Sequence, residues 1–237
     1  MFSLPSFAER STALELMDDP AFQGPELEQT LAEIERINDN LGGYPPSLYG
    51  IEALLPPGTK RFSVLDVGCG GADFPMKIAD WASSRGLEAE IVGIDLQPTT
   101  VDFASRRTRG YDGIQIELAN LFDLEPTAPY DIVHAAQVLH HFVGDEAERA
   151  LAQMARLARW GVVVNDLHRH PLAWGGIAVI TRALAKSRLV KYDAPLSVLR
   201  GFSREDFVRM CANAGLATPK VTWRPLFRWQ VVIPTRG

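Results

Sequence analysis

The chain has 237 residues of ordinary globular composition, 46% hydrophobic and 22% charged, with 19 glycines and 16 prolines. This excludes a collagen, a disulfide scaffold and a largely disordered polymer. The formal charge of -5, with no long basic run, argues against a general affinity for nucleic acid or an anionic membrane.

Two cysteines, Cys69 and Cys211, lack the spacing of a zinc site and are too few for a disulfide framework. No basic stretch followed by an apolar one stands at the amino end, so no signal peptide is read. The most apolar span, Leu172 to Leu184, is broken by Gly175, Gly176, Thr181 and Arg182 and is too short to cross a bilayer. The expectation is a soluble, cytoplasmic protein without stable membrane insertion.

Taken in chain order, residues 1–58 read as a helical lid. Leu27, Leu31, Ile34 and Leu41 recur at helical spacing between Pro25 and the stop at Gly42-Gly43, and Pro45-Pro46 opens a short apolar segment ending at Pro56-Pro57-Gly58. From Phe62 the pattern becomes strand, helix, strand, helix. Strands are predicted at Phe62–Val67, Glu90–Ile94, Ile114–Leu118, Tyr130–Ala136 and Trp160–Asn165. Helices are predicted at Ala72–Arg85, from Pro98 to near Arg109, and at Asp145–Ala158. Such alternation argues a doubly wound parallel sheet. It lapses over 167–202, which reads as an inserted helical cap over the strand ends. Ser203 with Asp206 resembles a capping box for a helix ending at Gly215, and a hairpin of Val221–Trp223 and Arg228–Ile233 closes the chain. The two units are thus a lid, 1–58, and an α/β domain, 59–237.

The chemistry begins at Asp66-Val67-Gly68-Cys69-Gly70-Gly71, where a buried strand delivers an acid and then glycines directly ahead of a helix. Glycine admits positive φ and lets the backbone approach a ligand, while the helix start offers free N–H groups. Asp95 ends the next strand, where a carboxylate can accept both hydroxyls of a ribose. The dinucleotide fingerprint requires glycine at position 73, but the residue is Asp73, an acid facing a would-be pyrophosphate. A sulfonium cofactor carries no phosphate and suits this acidic turn better.

Asp66-Val67-Gly68-Cys69-Gly70, Asp95, Asn120-Leu121-Phe122-Asp123, Tyr130-Asp131-Ile132-Val133 and Val138-Leu139-His140-His141-Phe142 together resemble the ordered motifs of class I S-adenosylmethionine-dependent methyltransferases. The resemblance covers about residues 60–166 and is nearest the small-molecule, quinone- and polyketide-type branch. It implies a seven-stranded sheet of order 3-2-1-4-5-7-6 with the last strand antiparallel. It also implies S-adenosylmethionine as cofactor and S-adenosylhomocysteine as product. Asp66, Gly68 and Gly70 would belong to the cofactor turn, Asp95 would hold the ribose, Leu96 and Leu121 would sandwich adenine, Asn120 would meet its edge, and Ala136 and Gln137 would lie beside the methionine part. Asn120 departs from the Asp common at that position.

Methyl transfer needs a deprotonated acceptor in line with the methyl and sulfur. Imidazole, with an unperturbed pKa of ~6.5, suits that work for a phenol or enol. His140 and His141 follow one strand and Asp166 follows the next, so Asp166 is placed to orient a histidine base, with His140 preferred and His141 the alternate. Either ring could instead pack structurally. A metal held by Asp166, His168 and His170 with His140 is the weaker reading, and none is expected. The insertion carries His170, Trp174 and Arg200 as candidate acceptor contacts among apolar residues. An aromatic or quinone-like acceptor is expected, methylated on a hydroxyl oxygen, with carbon or nitrogen methylation as the alternative and a non-catalytic cofactor-binding module as the reading of another class. No nucleic-acid partner is expected. Arg106, Arg107 and Arg109 read as a solvated helix end.

Overall fold

A computed structural model describes residues 5–19, 21–125 and 128–235. Seven strands form one sheet in the order β3-β2-β1-β4-β5-β7-β6: β1 Arg61–Val67, β2 Glu88–Asp95, β3 Ile114–Leu118, β4 Tyr130–Ala136, β5 Ala158–Leu167, β6 Lys220–Arg224 and β7 Arg228–Pro234. β7 alone runs antiparallel to its neighbours. The expected order and the reversed last strand are therefore present, and the predicted bounds of β3 and β4 match those observed.

Side chains alternate across each strand, so the sheet builds two cores. Leu65 and Val67 of β1, with Val133 and Ala135 of β4, pack under α5 (Glu146–Leu157) and α8 (Arg204–Asn213). Val64 and Ile132 face the other way, against α2 (Pro45–Leu54) and α3 (Asp73–Ser84). α4 (Pro98–Arg107) covers the β2–β3 edge. The capping box at α8 forms as expected: Ser203 Oγ accepts from Asp206 N, and Asp206 accepts from Ser203 N.

The amino-terminal segment divides in its packing. α2 lies on the sheet, with Gly50 so close to β5 that an added Cβ would stand 2.5 Å from Val163 Cγ1. α1 (Pro25–Asn40) lies over the strand ends instead, and it is tied down by the basic cluster that read as solvated. Arg106 pairs with Glu28 at 2.6 Å, and Arg107 bonds both carboxylate oxygens of Glu35 and the Gly71 carbonyl. The bidentate pair reaches across the glycine turn, so α4 clamps α1 there. The insertion forms two helices, α6 (Pro171–Leu184) and α7 (Arg188–Arg200), packed on each other. Among the described residues, no helix is long and apolar enough to cross a membrane.

Candidate active site

A cavity of about 830 Å³ opens over the carboxyl ends of β1, β2 and β4. Its floor is the glycine turn. Gly68 (φ 64°) and Gly70 (φ 53°) occupy the left-handed region, and a Cβ on Gly68 would lie 2.5 Å from Val138 Cγ2. An alanine there would meet both backbone strain and a clash, so the turn depends on glycine. Asp95 lies beside it, its two oxygens accepting from Gly70 N (3.1 Å) and Gln97 N (3.0 Å). Each carboxylate oxygen has a second lone pair, so these bonds leave room for a ligand hydroxyl. Burial pushes the Asp95 carboxyl up, and backbone N–H donors from Gln97 and Gly70 counter it in part.

Leu96, Asn120, Leu121, Ala136 and Gln137 all line the same cavity. Asn120 Oδ1 accepts from Phe122 N and so caps a short 3-10 turn over Leu121–Asp123. Gln137 holds φ 56° without being glycine, and its amide donates to Asn38 Oδ1 at 2.7 Å. Strain of this kind persists where surrounding bonds fix it.

Asp66 is placed elsewhere. The alternation that buries Leu65 and Val67 under α5 turns Asp66 to the α2 face, where it accepts from His134 Nδ1. His134 Nε2 in turn accepts from Ser47 Oγ at 2.8 Å, and Asn165 donates to Ser47 Oγ and to the Gly43 carbonyl. This buried chain fastens α2 to the sheet and does not line the cavity.

At the opposite wall a 3-10 turn over Leu139–His141 presents both histidines. His140 Nδ1 lies 2.7 Å from Asp166 Oδ1, and because an ionised carboxylate only accepts, Nδ1 donates in this bond, with Nε2 on the far side of the ring. Burial pushes the Asp166 carboxyl up, but the charge and hydrogen bond of His140 and the Leu167 N–H outweigh it and hold it below the usual carboxylate range. His141 stacks on His140 at 4.4 Å, its Nδ1 2.7 Å from Asp18 Oδ1.

The third partner is one that no motif in the sequence marks. Glu15, buried at 3% exposure, stands with Oε1 3.6 Å from His140 Nε2 and Oε2 3.9 Å from His141 Nε2. It accepts from Ser197 Oγ at 2.9 Å. Among the described residues, Asp166, His168, His170 and His140 do not form the ligand set weighed above. Glu15, His140 and His141 are the trio whose ligand atoms approach, within 4.8 Å of one another, and the Arg200 guanidinium beside Glu15 at 3.6 Å supplies positive charge there.

Arg200 corrects a second expectation. It is fully buried and absent from the cavity wall. Its guanidinium donates to the carbonyls of His140, His141 and Ala13, so it fixes the backbone that carries the dyad. Arg10 adds bonds to the carbonyls of His140 and Phe142. His170 caps α6 through Nδ1 and stacks on Phe227 at 4.9 Å, while Trp174 meets Phe7 edge-on. Neither side chain reaches the cavity wall, which the insertion lines instead with Leu172, Ile177, Ile180, Val190 and Val198.

The His141–Asp18 pair makes a pH prediction. Burial pushes the His141 pKa down, but the hydrogen bond of Asp18 and the charges of Glu15 and Asp18 raise it above the usual 6.5. A raised folded-state pKa contributes stability that is complete below ~6.5 and is lost as pH rises through the folded value. Thermal midpoints followed from pH 6 to 8.5 are expected to fall more for the wild type than for His141→Gln. Parallel curves would show that the pair does not couple to folding.

Comparison with known proteins bears on the fold. The chain is 29% identical over 162 residues to an uncharacterized 37.1 kDa protein in transposon TN4556 of Streptomyces fradiae, matching 67% of this chain but only 44% of that relative's length. A SAM-dependent methyltransferase of Aquifex aeolicus superposes with a TM-score of 0.61 at 15% identity, over 92% of this chain and 99% of that one. Human N-acetylserotonin methyltransferase, solved with SAM, gives 0.62 at 14% identity over 94% and 58% of the two chains. Magnesium protoporphyrin IX methyltransferase of Synechocystis PCC 6803, solved with SAH, gives 0.54 at 16% identity over 89% and 84%. Residues 64–161, the segment that carries the glycine turn, Asp95, His140 and His141, match the family described as a methyltransferase domain.

Proposed function

We propose that the protein transfers a methyl group from S-adenosylmethionine to a hydroxyl oxygen of an aromatic, polyketide or quinone-like small molecule. The observation that carries this reading is the buried Asp166–His140 pair on the wall facing the glycine turn across one apolar cavity. The cofactor fits the residues present: a glycine cradle that a Cβ would fill, a carboxylate at the end of β2, and neighbouring folds solved with SAM or SAH. When bound, it supplies a methyl on a sulfonium, a carbon open to in-line attack with a neutral thioether as leaving group.

The chain's own residues then do the rest. Gly68, Gly70 and Asp95 hold the cofactor's adenosine and methionine parts on the floor. The apolar side chains of α1 and α6 exclude water and align a flat acceptor. His140 Nε2 would take the hydroxyl proton and leave the acceptor oxygen ready for the methyl that the bound cofactor would supply, its sulfur leaving as the neutral thioether. Asp166 keeps the ring in the correct tautomer and stabilises the imidazolium. An enolisable carbon would use the same base, which keeps carbon methylation as the second reading.

The test is incubation with methyl-labelled S-adenosylmethionine and a panel of phenols and quinols, with product mass and nuclear resonance locating the label. Label on oxygen supports the reading; turnover confined to enolisable carbons or amines replaces it. For the cofactor itself, Asp95→Ala is expected to weaken S-adenosylhomocysteine by about 10- to 100-fold, since hydrogen bonds to a charged group are worth ~1.5–3 kcal/mol. Equal affinity in calorimetry would remove Asp95 from the ribose.

A further inference from the structure

Arg228 opens β7 and is 3% exposed, yet it makes no ion pair among the described residues. Nη2 donates to Asn38 Oδ1 at 3.1 Å, while Nε and Nη1 meet no hydrogen-bond partner. At least three of the five guanidinium N–H donors are therefore left unmatched in the protein interior. Burial pushes its pKa down to about 10, and Asp166 and Asp73 raise it only through their charge, without an ion pair to it. A buried cation without a counter-ion is costly, and folded proteins rarely leave such donors open unless something else fills them.

Its surroundings show what those donors face. Arg228, Asn38 and Gln137 all line the cavity, and Asn38 Oδ1 accepts from both Arg228 and Gln137. Gln137 follows Ala136 at the end of β4, beside β1 with its glycine turn. Asn38 also donates to Asp73 Oδ2 at 3.2 Å, where α3 starts after the turn. The chain reaches Arg228 through Leu226 (φ 61°) and Phe227 (φ 59°), two large residues in the left-handed region. Backbone strain of that kind gathers where a fold must place a side chain in a binding site.

We infer that Arg228 is the receptor for the carboxylate at the amino-acid end of the cofactor, with Asn38 and Gln137 setting the guanidinium in place. A planar fork of donors matches a carboxylate, and the anion would supply the counter-charge that the protein withholds. The assignment rests on the S-adenosylmethionine reading above and goes beyond it by naming the group that distinguishes the full cofactor from its adenosine part.

The experiment is calorimetry on the full chain with S-adenosylhomocysteine and with 5′-methylthioadenosine, which keeps adenosine and the thioether but lacks the amino acid. Arg228→Met is expected to weaken S-adenosylhomocysteine by 10-fold or more and leave methylthioadenosine unchanged, with Arg228→Lys in between. Should Arg228→Met not fold, the wild type alone still decides whether the carboxylate is recognised: its affinity for the carboxyl methyl ester of S-adenosylhomocysteine is expected to fall 10-fold or more, and Arg228→Lys is expected to narrow that gap. Unchanged binding of S-adenosylhomocysteine by the variants, equal weakening of both ligands, or equal affinity for acid and ester each overturns the assignment. Unchanged cofactor binding with a raised KM for an acidic acceptor would give the charge to the acceptor instead. Silence of the folded wild type towards both ligands would overturn the cofactor reading, and this assignment with it.

Discussion

His140→Ala is expected to slow methyl transfer by ~10²- to 10⁴-fold, the range of a single positioned acid–base group, while leaving S-adenosylhomocysteine affinity within about twofold. The reasons lie in which atoms the ring touches. Nδ1 is committed to Asp166, and Nε2 looks towards Glu15 at 3.6 Å, too far for a hydrogen bond and so open to a proton from an acceptor hydroxyl. Nothing in the ring's contacts reaches the glycine turn, so cofactor binding has no reason to change. Asp166→Asn removes the carboxylate that fixes the tautomer and is expected to lower kcat as well, with a shifted pH profile that a merely packing role would not produce. His141→Ala is the contrast: its Nδ1 belongs to Asp18 on the amino-terminal segment, so a smaller fall is expected. A His140→Ala enzyme with undiminished turnover from pH 6 to 9 would leave proximity as the whole of the catalysis. Should His141→Ala alone abolish the rate, the two rings exchange roles.

The parts of this site that are legible in the sequence are those whose partners are close in the chain or fixed by sheet order. Gly68, Gly70 and Asp95 announce themselves because a strand must end in a turn that only glycine permits, and the next strand must end beside it. His140 and Asp166 are legible because β4 and β5 are neighbours, so a residue just past the end of one meets a residue near the end of the other. Asp66 illustrates the limit of motif reading: it sits in the same run as Gly68, but strand parity sends it to the opposite face, where His134 and Ser47 take it up. Parity alone could have signalled this, since Leu65 and Val67 flank it. Glu15 and Asp18 carry no such signal. They lie in a segment without motif or period, and only the docking of that segment against α7 brings them to the histidines. Arg228 looks like one more polar residue at a hairpin corner. Its significance comes from donors that find no partner, which is a property of packing and has no trace in local sequence.

Arg200 gives the largest expected effect on stability. Its charge is buried and its donors go to three carbonyls from two separate segments, the dyad turn and Ala13, with the Glu15 carboxylate 3.6 Å away. Arg200→Met keeps much of the apolar stem but leaves the carbonyls of His141 and Ala13 without a side-chain donor, that of His140 with Arg10 alone, and Glu15 with one cation fewer. Breaking a buried pair by removing one partner costs about 3–5 kcal/mol, because the remaining charge stays buried. Urea unfolding of Arg200→Met is therefore expected to show a loss of that size. Adding Glu15→Leu should recover part of it, since the second change removes the orphaned charge itself. The two residues are in contact, so the cycle should be non-additive. Activity separates the two roles: the double variant is expected to regain stability without regaining rate, because the His141 carbonyl remains unheld, that of His140 keeps only Arg10, and the His140–Asp166 pair loses its fixed geometry. A single Arg200→Met protein within about 1 kcal/mol of the wild type, below even the usual cost of leaving buried acceptors unsatisfied, would mean that water takes over the guanidinium's bonds and that Arg10 alone suffices to hold the turn.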